Sequence, residues 1–242
     1  NMEKIFTQAI DTIFKKPILL VPMAIPAISA MVFAGKILID FWRSGFDIYY
    51  FANFDISHLI YAVMILFLIY IFFLLMDGIM IYDFTLRGNI EIKKIILKSI
   101  KIFPIFLATF LLFLIFYIIV ILPFSFLATL GTYGIILMFV GIFFVVLFIS
   151  PVMFYILPST ADGKYFHRAL IKGANFLRRD LKRGFYLGLL FLLISLGVSL
   201  IPIVGTFLQY IFLIPFFIVV ITIYYLKEER GIEYSIEVEV KY

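Results

Sequence analysis

Sixty consecutive residues, from Ile102 to Ala161, contain no Asp, Glu, Lys or Arg, and a second charge-free run of 43 extends from Gly184 to Leu226. A helix needs about 20 apolar residues to cross the hydrocarbon core of a bilayer. Each run is therefore long enough for two crossings. Two further apolar stretches, about Ile18 to Phe41 and Leu59 to Tyr82, supply one crossing each. The composition agrees, with 65% hydrophobic and 14% charged residues and a mean hydropathy of +1.18. A soluble domain carries about 25% charged residues, so soluble, disordered and coiled-coil classes are excluded. Long unbroken runs, rather than alternating segments, also exclude a membrane β-barrel. The expectation is an all-α integral membrane protein with six transmembrane helices.

The charges give an orientation. Lys4, Lys15 and Lys16 precede the first crossing. Arg87, Lys93, Lys94, Lys98 and Lys101 lie between the second and third. Lys164, Arg168, Lys172, Arg178, Arg179, Lys182 and Arg183 lie between the fourth and fifth. The turns between crossings three and four and between five and six carry none. Lys and Arg in short loops mark the cytoplasmic side, so both termini are expected there, in the cell membrane. No small-residue cleavage site follows the first apolar run, so no cleavable leader is expected. The net charge of +5 sits at helix entrances, which favours anionic lipid as partner and not nucleic acid.

A weak internal periodicity accompanies these crossings. The segment AIDTIFKKP (Ala9 to Pro17) is similar to ILKSIKIFP (Ile96 to Pro104), and GIMIYDFTL is similar to PVMFYILPS. Each pair of crossings closes on a Tyr, followed by Gly88, Gly163 or Gly231. The expected unit is an interfacial amphipathic helix followed by a transmembrane hairpin, three times over, at about 1–86, 87–159 and 160–231. In the third unit Phe166, Leu170, Gly173 and Leu177 form an apolar face surrounded by cations, the pattern of a helix lying in the headgroup plane.

The stretch RALIKGANFLRRDLKRGFYLGLL (Arg168 to Leu190), together with Tyr224, resembles a group of prokaryotic multi-pass proteins of unknown function. That group is similar to the membrane domain found before glycerophosphodiester phosphodiesterases. The catalytic domain, with its Glu and metal-binding carboxylates, has no counterpart here, so the resemblance implies a membrane fold and no hydrolase activity.

Chemistry is sparse. His58 and His167 are the two histidines, and there is no cysteine. No metalloprotease, nucleophile-elbow, phosphate-loop or dinucleotide motif occurs. No catalytic residue, metal site or cofactor is expected. Asp77 is the one acid well inside a crossing, and an intramembrane ionisable residue is a site candidate by default. Its expected setting is the inner interface, hydrated or paired with a Lys of the second amphipathic segment. Pro22 and Pro26 are expected to kink the first crossing.

The tail, residues 232–242, alternates strictly. Ile232, Tyr234, Ile236, Val238 and Val240 fall on one side and Glu233, Ser235, Glu237, Glu239 and Lys241 on the other. That is a strand with one apolar face, and a lone strand needs a partner. The expected partner is the tail of another copy, making a homo-oligomer. The leading functional expectation is a non-catalytic membrane protein whose lipid-facing cations are Lys93, Lys94, Lys98, Lys101, Arg168, Lys172, Arg178, Arg179, Lys182 and Arg183. A channel or transporter with an intersubunit pore or a hydrophobic substrate is the alternative, and a membrane enzyme the third.

Overall fold

The computed structural model describes residues 2–45, 56–201 and 204–232. Among them every regular element is helical. Helix α1 (Met2–Lys15) leads through a short 3-10 turn (Pro17–Leu20) into α2 (Val21–Arg43). Then come α3 (Ile56–Arg87), α4 (Ile92–Ser125), α5 (Gly131–Ala161), α6 (His167–Arg179), α7 (Leu181–Ser199) and α8 (Val204–Arg230). Five helical stretches are long and apolar enough to cross a membrane. The longest, Ile92–Ala161, is folded back on itself at the 3-10 turn Phe126–Leu130, which separates α4 from α5.

Helix α8 is the axis of the molecule. Every residue from Ile214 to Leu226 is buried. A helix apolar on all sides needs neighbours on all sides, and α1, α3 and α5 supply them. Phe6 of α1 stacks on Phe216, with ring centroids 5.8 Å apart. Helices α3 and α5 run parallel to α8. Tyr70 meets Tyr210 near one end, while Tyr82 and Tyr155 both meet Tyr225 near the other. The three helices finish close together, each just before a left-handed glycine: Gly88 (φ 74°), Gly163 (φ 82°) and Gly231 (φ 64°). Glycine adopts that conformation without steric penalty, so it is the usual residue just past a helix end. A π turn at Gln209–Leu213 precedes Pro215 in α8, where the missing proline N–H prevents regular bonding.

Where the chain breaks between helices follows from local chemistry. Pro17 opens the 3-10 turn after α1. Asp180, with φ −150° and ψ 85°, caps α7 by accepting the Arg183 N–H at 3.0 Å. Between Lys101 and Ile105 the sequence offers only Pro104, and the helix runs through it. The second expected interfacial helix is therefore not separate: Ile92–Ser125 is one helix that continues through Pro104. Its freed partner, the Ile100 carbonyl, belongs to an exposed residue. Pro22 also differs from expectation. It sits in the first turn of α2, where its missing N–H has no helical partner, so Pro26 alone is interior.

The tail expectation falls outside the described residues from Glu233 onward, so Tyr234, Ile236, Val238 and Val240 have no structural counterpart here. Ile232 is described, and it closes α8: its N–H donates to the Leu226 carbonyl at 3.2 Å.

Close approach between helices depends on small residues, as is common for helix pairs in membranes. A Cβ built on Gly188 of α7 would lie 1.8 Å from the Leu147 carbonyl oxygen of α5. Backbone cannot move aside cheaply. Gly188→Ala is therefore expected to separate α7 from α5 and destabilise the fold by roughly 1–3 kcal/mol. Thermal unfolding in mild detergent, compared with Gly197→Ala, where the added carbon meets nothing within 4 Å, checks this.

Candidate functional site

The converging ends of α3, α5 and α8 carry the main polar constellation of the described residues. Asp162, directly after α5, accepts hydrogen bonds from the Tyr82 hydroxyl of α3 (2.6 Å) and the Tyr225 hydroxyl of α8 (2.7 Å). It also pairs with Lys164 at 3.1 Å and with Arg230. The Lys164 ammonium donates to the Tyr225 oxygen at 2.8 Å and lies 5.2 Å from that ring's centroid. One carboxylate thus ties together the ends of three helices.

Glu228 and Glu229, in the last turn of α8, bind the cations of α6 and α7. Glu229 takes Lys172, Arg179 (3.4 Å) and, more distantly, Lys164 (3.8 Å). Glu228 takes Arg183 and, at 3.8 Å, Arg179. The Arg183 guanidinium also lies against the rings of Phe176 and Tyr224, 5.1 and 5.0 Å from their centroids. Such cation–ring contacts strengthen as water is removed.

The expected lipid-facing cations therefore divide. Lys172, Arg179 and Arg183 are held by the chain's own carboxylates. Lys98 pairs with Asp83 at 3.3 Å and Lys94 with Glu91 at 2.7 Å. Lys93, Lys101, Arg168, Arg178 and Lys182 are exposed and carry no ion pair among the described residues. Sequence reasoning missed Asp162, Glu228 and Glu229. For Glu228 and Glu229 the signal was present in the KEER that ends α8, where two adjacent acids stand between Lys227 and Arg230 directly after the charge-free run.

Helix α6 lies across the α4–α5 pair. The Phe166 N–H, at a left-handed φ of 49°, donates to Thr109 Oγ1 of α4 at 3.1 Å. A Cβ on Gly173 would lie 2.8 Å from Val152 Cγ1 of α5. The face buried beneath α6 is Ala169, Gly173 and Phe176. Phe166, expected on that face, is instead exposed, because it precedes the helix. Beside this contact α4, α5 and α6 enclose a groove of about 580 Å³ with a wholly apolar lining, which includes Leu112, Phe116, Ile149 and Ile171.

Asp77 is completely buried in α3, and neither of its oxygens has a hydrogen-bond partner among the described residues. The expected lysine is elsewhere: Lys98, on the second amphipathic segment, binds Asp83. Among the described residues no three His, Asp or Glu side chains are grouped to hold a metal ion. Comparison with family models, with curated proteins and with solved structures finds no match.

Burial alone would raise the Asp162 carboxyl, but the hydrogen bonds from Tyr82, Tyr225, Lys164 and Arg230 outweigh it and hold the group at about 2. An unfolded Asp titrates near about 3.9. The contribution is then fully present above about pH 4 and is lost as pH falls through the folded value. With partial screening by solvent it amounts to roughly 1 kcal/mol. Melting temperature is expected to fall between pH 4 and pH 2 in the wild type, and to fall less over that window in Asp162→Asn. Parallel melting curves for the two proteins would contradict the assignment.

Proposed function

We propose that this chain is a non-catalytic, multi-pass membrane protein that engages anionic lipid through the cations of its basic end. The observation that carries the reading is the division of charge on α6. Lys172 and Arg179 serve the scaffold through Glu229, whereas Arg168 and Arg178 project from an exposed face with no ion pair among the described residues. Depth supports it. From Gly131 to Val152, where α6 crosses, α5 rises about 32 Å at 1.5 Å per residue. The hydrocarbon core of a bilayer is about 30 Å thick. An α6 at that level lies at the boundary between acyl chains and headgroups, with apolar residues below and cations at headgroup height.

On this reading the α4–α5 hairpin contributes two crossings, for six in all. The basic end, with both termini, faces the cytoplasm, as the distribution of Lys and Arg implies. The three helix pairs ending on Gly88, Gly163 and Gly231 are divergent copies of one unit, the second having lost its break. Self-association through the alternating tail belongs to the same reading and rests on its sequence pattern.

Two measurements test it. The chain has no cysteine, so single thiols can be introduced and labelled from either side of the cell membrane. Lys93→Cys is expected to react from the cytoplasmic side, and Tyr133→Cys, at the α4–α5 turn, from the outside. The reverse pattern would invert the topology. Lipid engagement is read by spin-labelled phosphatidylglycerol and phosphatidylcholine competing for the protein boundary in bilayers. Replacing Lys93, Lys101, Arg168, Arg178 and Lys182 with Gln is expected to reduce the preference for phosphatidylglycerol, at up to about 1 kcal/mol per charge removed. An unchanged preference would defeat the proposal.

A further inference from the structure

The groove beside α6 gives this lipid contact a definite place. Three elements enclose it: Leu112, Phe116 and Ile119 on α4, Ile149 and Val152 on α5, and the underside of α6. Its volume of about 580 Å³ falls inside the roughly 300–1,000 Å³ range of small-molecule sites. No polar side chain enters it, so it offers nothing to a hydrophilic solute and leaves nothing to hold water. An apolar space of this size left empty inside a bilayer would forfeit dispersion contacts along every wall.

The roof of the groove carries a charge pattern. Residues three and four apart on a helix share a face. Arg168, Ile171, Ala174 and Arg178 follow one another at steps of three, three and four, so they form one stripe along α6. Ile171 and Ala174, in its middle, line the groove. Arg168 and Arg178, at its ends, are exposed and have no ion pair among the described residues. The apolar slot thus lies beneath a stripe that begins and ends in a guanidinium. Guanidinium is suited to phosphate because its planar donors can make paired hydrogen bonds to phosphate oxygens.

We infer that the groove between α4, α5 and α6 is a binding site for one anionic phospholipid, with an acyl chain in the slot and the phosphate on Arg178 or Arg168. This rests on the membrane-boundary placement of α6 proposed above. It goes further, since general attraction to anionic lipid requires no slot.

The test uses the intact protein, purified in mild detergent and exposed to palmitoyl-oleoyl phosphatidylglycerol or phosphatidylcholine, with retained lipid counted by native mass spectrometry. Wild type is expected to retain phosphatidylglycerol and to lose phosphatidylcholine readily. Ala174→Trp fills the slot and is expected to abolish retention, while the boundary preference for spin-labelled phosphatidylglycerol in bilayers persists. The double variant Arg168→Gln/Arg178→Gln alters exposed side chains only. It is expected to lose retention as well, and it keeps the test decisive if Ala174→Trp fails to fold. A folded Ala174→Trp that retains lipid like wild type, or a double variant that does so, overturns the site while leaving general lipid engagement standing. A wild type with no boundary preference in bilayers overturns both.

Discussion

The architecture depends on the complete burial of α8 from Ile214 to Leu226. Its apolar surface faces α1, α3 and α5 from Ile214 to Leu226, so it cannot shift without disturbing all three. In a bilayer the gain from such enclosure is packing rather than escape from water, because lipid tails are as apolar as leucine. Ring contacts fit that role. Phe217 meets Phe154 and Phe191, and Tyr225 meets Tyr82 and Tyr155. Close backbone approach at Gly188 fits it too, since small residues let dispersion act along whole helix faces.

The same helix organises the polar end. Glu228 and Glu229 stand in its last turn and gather Lys172 and Arg179 from α6 and Arg183 from α7. These pairs are partly exposed, so each is individually weak. Removing a carboxylate, however, would leave several cations close together. The acids therefore permit a dense basic end as much as they bind it. Their presence also sets which cations of α6 stay outside the ion-pair network among the described residues, namely Arg168 and Arg178.

Much of this was legible in the sequence. The long charge-free runs announce helices long and apolar enough to cross a bilayer, and the amphipathic pattern locates α1 and α6. Gly88, Gly163 and Gly231 were singled out as closing residues, and all three adopt left-handed backbone conformations at helix ends. The misreadings have physical causes. The segment around Lys98 has the same pattern as α6, but pattern does not reveal whether a helix stops. That needs a breaker such as Asp180 or Pro17, and Pro104 alone is insufficient. A list of cations does not disclose which are neutralised, because Glu229 and Lys172 meet only after folding. For Asp77, charge pattern suggests a lysine partner, but packing around α3 encloses the carboxyl and Lys98 binds Asp83 instead.

Helices α3, α5 and α8 are parallel, so their peptide dipoles add. Each presents the partial negative charge of its terminal carbonyls at the same end of the molecule, where α5 delivers Asp162 and α8 delivers Glu228 and Glu229. A helix C-terminus favours nearby cations, and although α4 and α7 bring opposing N-termini to the same end, the carboxylates of Asp162, Glu228 and Glu229 add to the attraction for Lys and Arg. The cations gathered there thus meet helix termini as well as carboxylates, so chain direction in the core and the charge of the loops act at one place.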